Sequence, residues 1–278
     1  MTIRKILVPV DFSGSSTNAL QFAATFAAKF KASIHLLHVI DNDYDLFGTG
    51  YRLKPLRFRE TIQQLGILAM SVLNEYQVKC FYTTEYGSVT HNILKNAVNL
   101  NTDMIVMGKN GSNGMMAAYA GTHTSQMAEK TKIPLFIVPE NIVEYKIERM
   151  LLPIYKLSAT VQQFHAMTLL AHLERQFFGL LLPVLSPDNN DDPDGNDQPG
   201  FTLQSKLEQQ DINYSMEYYS HGSDFSEKVL ACTNNKEQAF DLVVVNASSN
   251  RQNPDFNTAY YPQKIVHACT IPILVLNT

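Results

Sequence analysis

Short runs rich in β-branched and other apolar residues alternate along the chain with longer stretches whose apolar positions recur every three or four residues. The first kind of run predicts strands and the second predicts helices. Their alternation predicts βα units built around a parallel sheet. In the first half, strands are expected at Ile3–Val10, Ser33–Ile40, Val78–Glu85, Asp103–Met107 and Leu135–Val138. Runs such as Met104-Ile105-Val106-Met107 are apolar throughout, as strands covered by helices on both faces must be. Between the first two strands, Ala19, Phe22, Ala23, Phe26, Ala27 and Phe30 mark the buried stripe of a helix. Ser15 or Ser16 is its expected N-cap.

The same pattern returns in the second half. Arg4 to Val10 (RKILVPV) is echoed by Glu148 to Ile154 (ERMLLPI), Thr102 to Met107 by Phe240 to Val245, and Lys132 to Val138 by Thr270 to Leu276. Gly87-Ser88 has a counterpart in Gly222-Ser223. Four echoes in the same order, offset by about 135 to 144 residues, predict a duplicated domain. The expected domains are 1–142 and 146–278. Second-half strands are expected at Arg149–Ile154, Phe177–Val184, Ile212–Tyr219, Asp241–Val245 and Ile273–Leu276, with a helix over Ser158–Gln176. The stretch Ser186–Gly200 breaks the pattern: it holds prolines, glycines and five aspartates with no apolar anchor, and predicts a loop. It lacks the terminal glutamate and the full spacing of a calcium loop.

With 278 residues, each half is large enough for its own core. Apolar residues make up 45% and charged residues 17%, which excludes disorder of the whole chain. Lysine and arginine total 22 against 26 acidic residues, a formal charge of −4, so no global positive field favours nucleic acid. The cysteines, Cys80, Cys232 and Cys269, are scattered and form no C-x-x-C pair. No signal peptide and no run of 18 apolar residues is found, so the expected location is the cytoplasm and no membrane partner is expected.

Ligands of an open parallel sheet bind beyond the carboxyl ends of its strands. The segment after the fourth strand is the richest such place: Gly108-Lys109-Asn110-Gly111, then Gly121-Thr122-His123-Thr124-Ser125 ahead of a helical stretch. Glycines there let the chain turn and let a ligand approach, and amides at a helix start face an anion. Spacing alone leaves open an ordinary loop with Thr122 or Thr124 as N-cap.

The spacing Gly108-x-x-Gly111, nine residues, then Gly121-Thr122 resembles the G-2x-G-9x-G-[S/T] nucleotide signature of the universal stress protein family. Pro9-Val10-Asp11-Phe12-Ser13 and Leu37-His38-Val39 resemble two further motifs of that family, in the right order. The resemblance spans the first half, and with the repeat it implies a tandem universal stress protein. It implies an α/β fold of two doubly wound domains, each with five parallel strands in the order 3-2-1-4-5 and helices on both faces. It also implies ATP binding, with or without magnesium. By that resemblance Pro9, Val10, Asp11 and Val39 line the adenine and ribose end beside Met107 and Gly108, and Gly111, Gly121, Thr122, His123 and Thr124 hold the phosphates. His123 departs from the small apolar residue usual in the signature. It either faces solvent or brings charge to a phosphate. Asp11 is either a ligand or only a cap of the following helix.

The second half departs at these points. Tyr155 replaces Asp11, Asn246-Ala247-Ser248-Ser249 replaces the first glycine pair, and Asn257-Thr258-Ala259-Tyr260 the later Gly-Thr. Its expected role is that of a packing partner or regulator, through intramolecular pairing of the two domains, with a homodimer left open. No P-loop, nucleophile elbow or zinc-protease helix is found. The expected function is an ATP-binding stress-response protein that switches conformation without turnover; the competing readings are an interaction scaffold that binds no nucleotide and a slow ATP hydrolase.

Overall fold

A computed structural model describes residues 3–40, 50–109, 123–140, 142, 146–154, 177–183, 205, 207–209, 213–219, 225–234, 240–246 and 261–276. The chain divides into two compact units, Met1–Tyr145 and Lys146–Thr278. The expected helix over Ser158–Gln176 and the acidic stretch Ser186–Gly200 lie outside the described residues.

In the first unit the elements run β1 (Lys5–Pro9), α1 (Gly14–Phe30), β2 (Ser33–Ile40), α2 (Gly50–Tyr76), β3 (Cys80–Tyr86), α3 (Val89–Asn99), β4 (Met104–Gly108), α4 (His123–Lys130) and β5 (Leu135–Val138). The strands lie in the order β3-β2-β1-β4-β5, all paired in parallel. Helices follow because parallel neighbours need long crossovers. Ile6, Leu7 and Val8 of β1, Ile34, Leu36 and Leu37 of β2, and Met104 to Val106 of β4 are fully or almost fully buried. The predicted α1 stripe packs on this sheet: Ala19, Phe22, Ala23, Phe26 and Ala27 are buried, and Phe22 and Phe26 both meet Phe136 of β5.

The start of α1 differs from expectation. Its N-cap is Ser13, whose side chain accepts from the Ser16 amide at 3.2 Å. Ser15 and Ser16 are already inside the helix and buried. A cap needs extended backbone and a free amide two or three residues ahead, and Ser13, at φ −72° and ψ 161°, is placed to supply it.

Among the described residues of the second unit the elements are β6 (Arg149–Pro153), β7 (Phe177–Pro183), β8 (Asn213–Tyr219), α5 (Phe225–Asn234), β9 (Leu242–Asn246), α6 (Tyr261–Ala268) and β10 (Ile273–Leu276). The parallel pairings are β8 with β7, β7 with β6, β6 with β9, and β9 with β10. Equivalent bonds recur in both units. Asp103 Oδ2 accepts from the Arg4 and Lys5 amides at 2.8 and 2.9 Å. Asp241 Oδ2 accepts from the Glu148 and Arg149 amides, both at 2.9 Å. Val10 N donates to Leu37 O at 2.9 Å, and Ile154 N to Leu181 O at the same distance. Each aspartate therefore anchors the start of its unit's first strand to the start of the fourth.

Among the described residues no helix is long and apolar enough to cross a membrane.

Candidate functional site

The strand order places a switch point at β1. From β1 the chain goes to β2 on one side, and after β3 it returns to β4 on the other, which opens a crevice beyond the carboxyl ends of β1 and β4. Pairing of Ile6 with Met104 and Leu7 with Ile105 brings Met107 level with Pro9. Pairing of Pro9 with Leu37 carries Val39 to the level of Asp11. Six of the expected residues, Pro9, Val10, Asp11, Val39, Met107 and Gly108, are thus gathered on one edge. Val10 and Met107 are buried, whereas Pro9, Asp11, Val39 and Gly108 are half-buried.

Asp11 is engaged locally. Its Oδ1 accepts from Ser13 N at 3.1 Å and from Ser13 Oγ at 2.5 Å, and its own amide donates to Ser16 Oγ at 3.3 Å. An aspartate that bonds the backbone two residues on makes an Asx turn. Here it orients the serine that caps α1 instead of capping the helix itself. Between them Phe12 takes φ 65°, a left-handed conformation that costs a bulky residue about 1–2 kcal/mol. Its ring leans on His38, with centroids 4.8 Å apart. His38 Nδ1 is 2.7 Å from the Val10 carbonyl oxygen. Burial lowers the His38 pKa below 6.5, opposed in part by that hydrogen bond and by the Asp11 charge.

Gly108 has a packing reason for its identity. A Cβ there would collide with Ser15 Oγ and lie 2.7 Å from the Ser15 backbone carbon and oxygen, so the first turn of α1 crosses β4 in contact with its backbone. Ser15 itself is buried.

At α4, Thr124 is buried and donates its hydroxyl to Lys109 O at 3.0 Å, with Gly108 O at 3.4 Å. That bond ties the helix start to the end of β4 and uses the one hydroxyl proton. His123 opens the helix and is exposed, with Nδ1 3.3 Å from Thr90 Oγ1. Thr90 is buried and donates to Gln126 Oε1 at 3.0 Å. Gly111, Gly121 and Thr122 lie outside the described residues.

Sequence reasoning singled out Asp11 and its neighbours but missed what Phe12, Ser13, His38 and Thr90 do. The D-x-S spacing of Asp11 and Ser13 was the available signal for the turn. Nothing in the pattern marks a left-handed phenylalanine.

A hollow of about 520 Å³ lies elsewhere, at the amino ends of β1, β2 and β3, lined by Lys5, His35, Cys80, Phe81, Tyr82 and Leu100. Lys5 Nζ donates to Leu100 O at 2.5 Å, and His35 Nε2 is 2.9 Å from Thr83 Oγ1. It is at the wrong end of the strands for the crevice, and its basic groups are used to hold the fold.

The fold and the edge define an open, doubly wound α/β domain with a switch-point crevice flanked by helix starts. Residues 2–139 match the model of the universal stress protein family, so a domain of that family occupies the first half of the chain. The chain is 28% identical over 119 residues to universal stress protein A homolog 1 of Coxiella burnetii, covering 41% of this chain and 82% of that protein. It is 25% identical over 138 residues to a universal stress protein of Methanocaldococcus jannaschii, covering 49% of this chain and 81% of that one. A universal stress protein from Archaeoglobus fulgidus aligns with 98% of each chain at a TM-score of 0.76 and 15% identity. That last likeness concerns the fold alone.

Proposed function

We propose that the protein is a tandem universal stress protein whose first domain binds ATP, with or without magnesium, and whose second domain keeps the fold without the site. The observation that carries this reading is the edge itself: register brings Pro9, Val10, Asp11 and Val39 level with Met107 and Gly108 at the carboxyl ends of three neighbouring strands. The α4 start, with His123 and Thr124, is tied to the same strand end. The glycine spacing from Gly108 through Gly111 to Gly121-Thr122 supplies the phosphate end of the reading.

Bound ATP would shift the population of the first domain's loops toward one conformation, and that shift, not hydrolysis, would be the output in the stress response. The nucleotide's adenine and ribose would lie at the β1 and β2 ends. Repulsion between anions keeps the Asp11 carboxylate off the phosphates unless a cation intervenes. The second domain would serve as an intramolecular partner in a cytoplasmic protein.

The test is calorimetric titration of the nucleotide-stripped full chain with ATP and magnesium, beside the Gly121→Val variant. The expected result is one site per chain, lost in the variant, with ATP recovered unhydrolysed. A folded, stripped protein that takes up no nucleotide overturns the reading in favour of an interaction scaffold. Steady release of ADP that Asp11→Ala abolishes would make it a slow hydrolase.

A further inference from the structure

The turn between β1 and α1 is held from two sides. On the helix side, Asp11 Oδ1 takes the Ser13 amide and hydroxyl. On the sheet side stands His38 of β2, a residue neither the glycine signature nor the predicted ligand set includes. Its Nδ1 lies 2.7 Å from Val10 O. A carbonyl oxygen only accepts, so Nδ1 carries the hydrogen and the neutral ring keeps its lone pair on Nε2. The same ring packs against Phe12, 4.8 Å between centroids at 33°. Phe12 is the residue forced to φ 65°, and a strained conformation of that kind persists only where the surroundings impose it. One imidazole therefore grips both residues that flank Asp11, Val10 through its carbonyl and Phe12 through its ring.

We propose that His38 is the positioning residue of the nucleotide edge: through the Val10 carbonyl and the Phe12 ring it holds the β1–α1 turn in the conformation that fixes the Asp11 carboxylate. This rests on the nucleotide reading above and adds to it how the site is kept formed before the ligand arrives. Preorganisation of this kind raises affinity by removing an ordering cost at the moment of binding. The hydrogen bond and the ring contact can be removed separately. His38→Asn keeps an N–H near the Nδ1 position and loses the ring. His38→Phe keeps a ring and loses the donor. His38→Gln moves its amide out toward the Nε2 position, away from Val10 O.

The experiment measures ATP dissociation constants for the full-length protein and the three variants, and amide hydrogen exchange at Phe12, Ser13 and Ser16 in the nucleotide-free chains. The expected result is about three- to tenfold weaker binding in His38→Phe and His38→Gln, the worth of one hydrogen bond, with partial recovery in His38→Asn, which keeps the donor but not the ring contact. Exchange at the three amides should accelerate in the same order. A residue that only filled space would give the opposite ranking, with His38→Phe the mildest change, and that ranking overturns the proposal. Unchanged exchange and affinity in all three overturns it as well. If the parent chain binds no ATP, the nucleotide reading fails, while the exchange ranking in the nucleotide-free protein still decides whether His38 holds the turn.

Discussion

Gly108 shows how a residue picked out for ligand binding can be required by packing. Its missing Cβ is where the Ser15 backbone passes. Gly108→Ala should therefore destabilise the first unit by about 1–3 kcal/mol through overpacking, read as a lower urea midpoint of that unit. Histidines give a second residue-scale expectation. Burial holds the pKa of His35 below 6.5, with the Lys5 charge acting in the same direction, and burial lowers that of His38. Over the window between the native pKa values and 6.5 the unfolded chain binds more protons than the native one, so stability rises with pH there. Their contribution is complete above that window and is lost as pH falls through it. Thermal melts at pH 7.5 and 5.5 should show the lower midpoint at pH 5.5, with a smaller gap in His35→Phe. Cys80 is pushed up to about 12 by burial, which leaves almost no thiolate at pH 8. Its reaction with a disulfide reagent in the native protein should be at least about a hundredfold slower than that of a free thiol, and unfolding should restore the rate.

At the scale of elements, the strands were legible because a parallel sheet covered by helices writes itself as apolar runs, and Ser33–Ile40, Leu135–Val138 and Ile273–Leu276 have the bounds the sequence suggests. In the other strands one or both ends move by one or two residues: pairing runs on to Gly108 and Tyr86, whereas β1 and β6 end at Pro9 and Pro153, one residue short of the expected Val10 and Ile154. The α1 cap was less legible, since three serines at 13, 15 and 16 compete and only the Asx turn from Asp11 decides among them. The six edge residues come together because register carries them there, and register is set by strands that could be read. The roles of Phe12 and His38 depend on a left-handed backbone and a tautomer, neither of which has a sequence period. Ser13→Ala should cost about 1 kcal/mol of first-unit stability. Asp103→Ala orphans two amides at the strand start and should cost about 1.5–3 kcal/mol, with a matching loss in the second unit for Asp241→Ala; denaturant unfolding followed separately for each unit checks both.

At the scale of the whole molecule, the repeated sequence and the repeated bonds tell the same story at different resolution. The Asp103 and Asp241 anchors, the Val10 and Ile154 amide bonds and the matched β1–β4 and β6–β9 pairings are features a duplicated ancestor would leave. What differs is the edge, where Tyr155 stands in the place of Asp11. Under the proposed function, segment 1–145 expressed alone should titrate with ATP and segment 146–278 should not, measured by calorimetry on each folded piece.

The aspartate anchors also bear on how the chain is made. Lys5 leaves the ribosome ahead of the carboxylate that secures its amide, which follows 98 residues later. At ordinary elongation rates that is a wait of about 5–20 s, during which the central strand of the first sheet has one of its two neighbours still unsynthesised. A strand of five mostly apolar residues waiting that long is a natural client for a chaperone at the tunnel exit, and a slower-translating stretch upstream of Asp103 would lengthen its exposure.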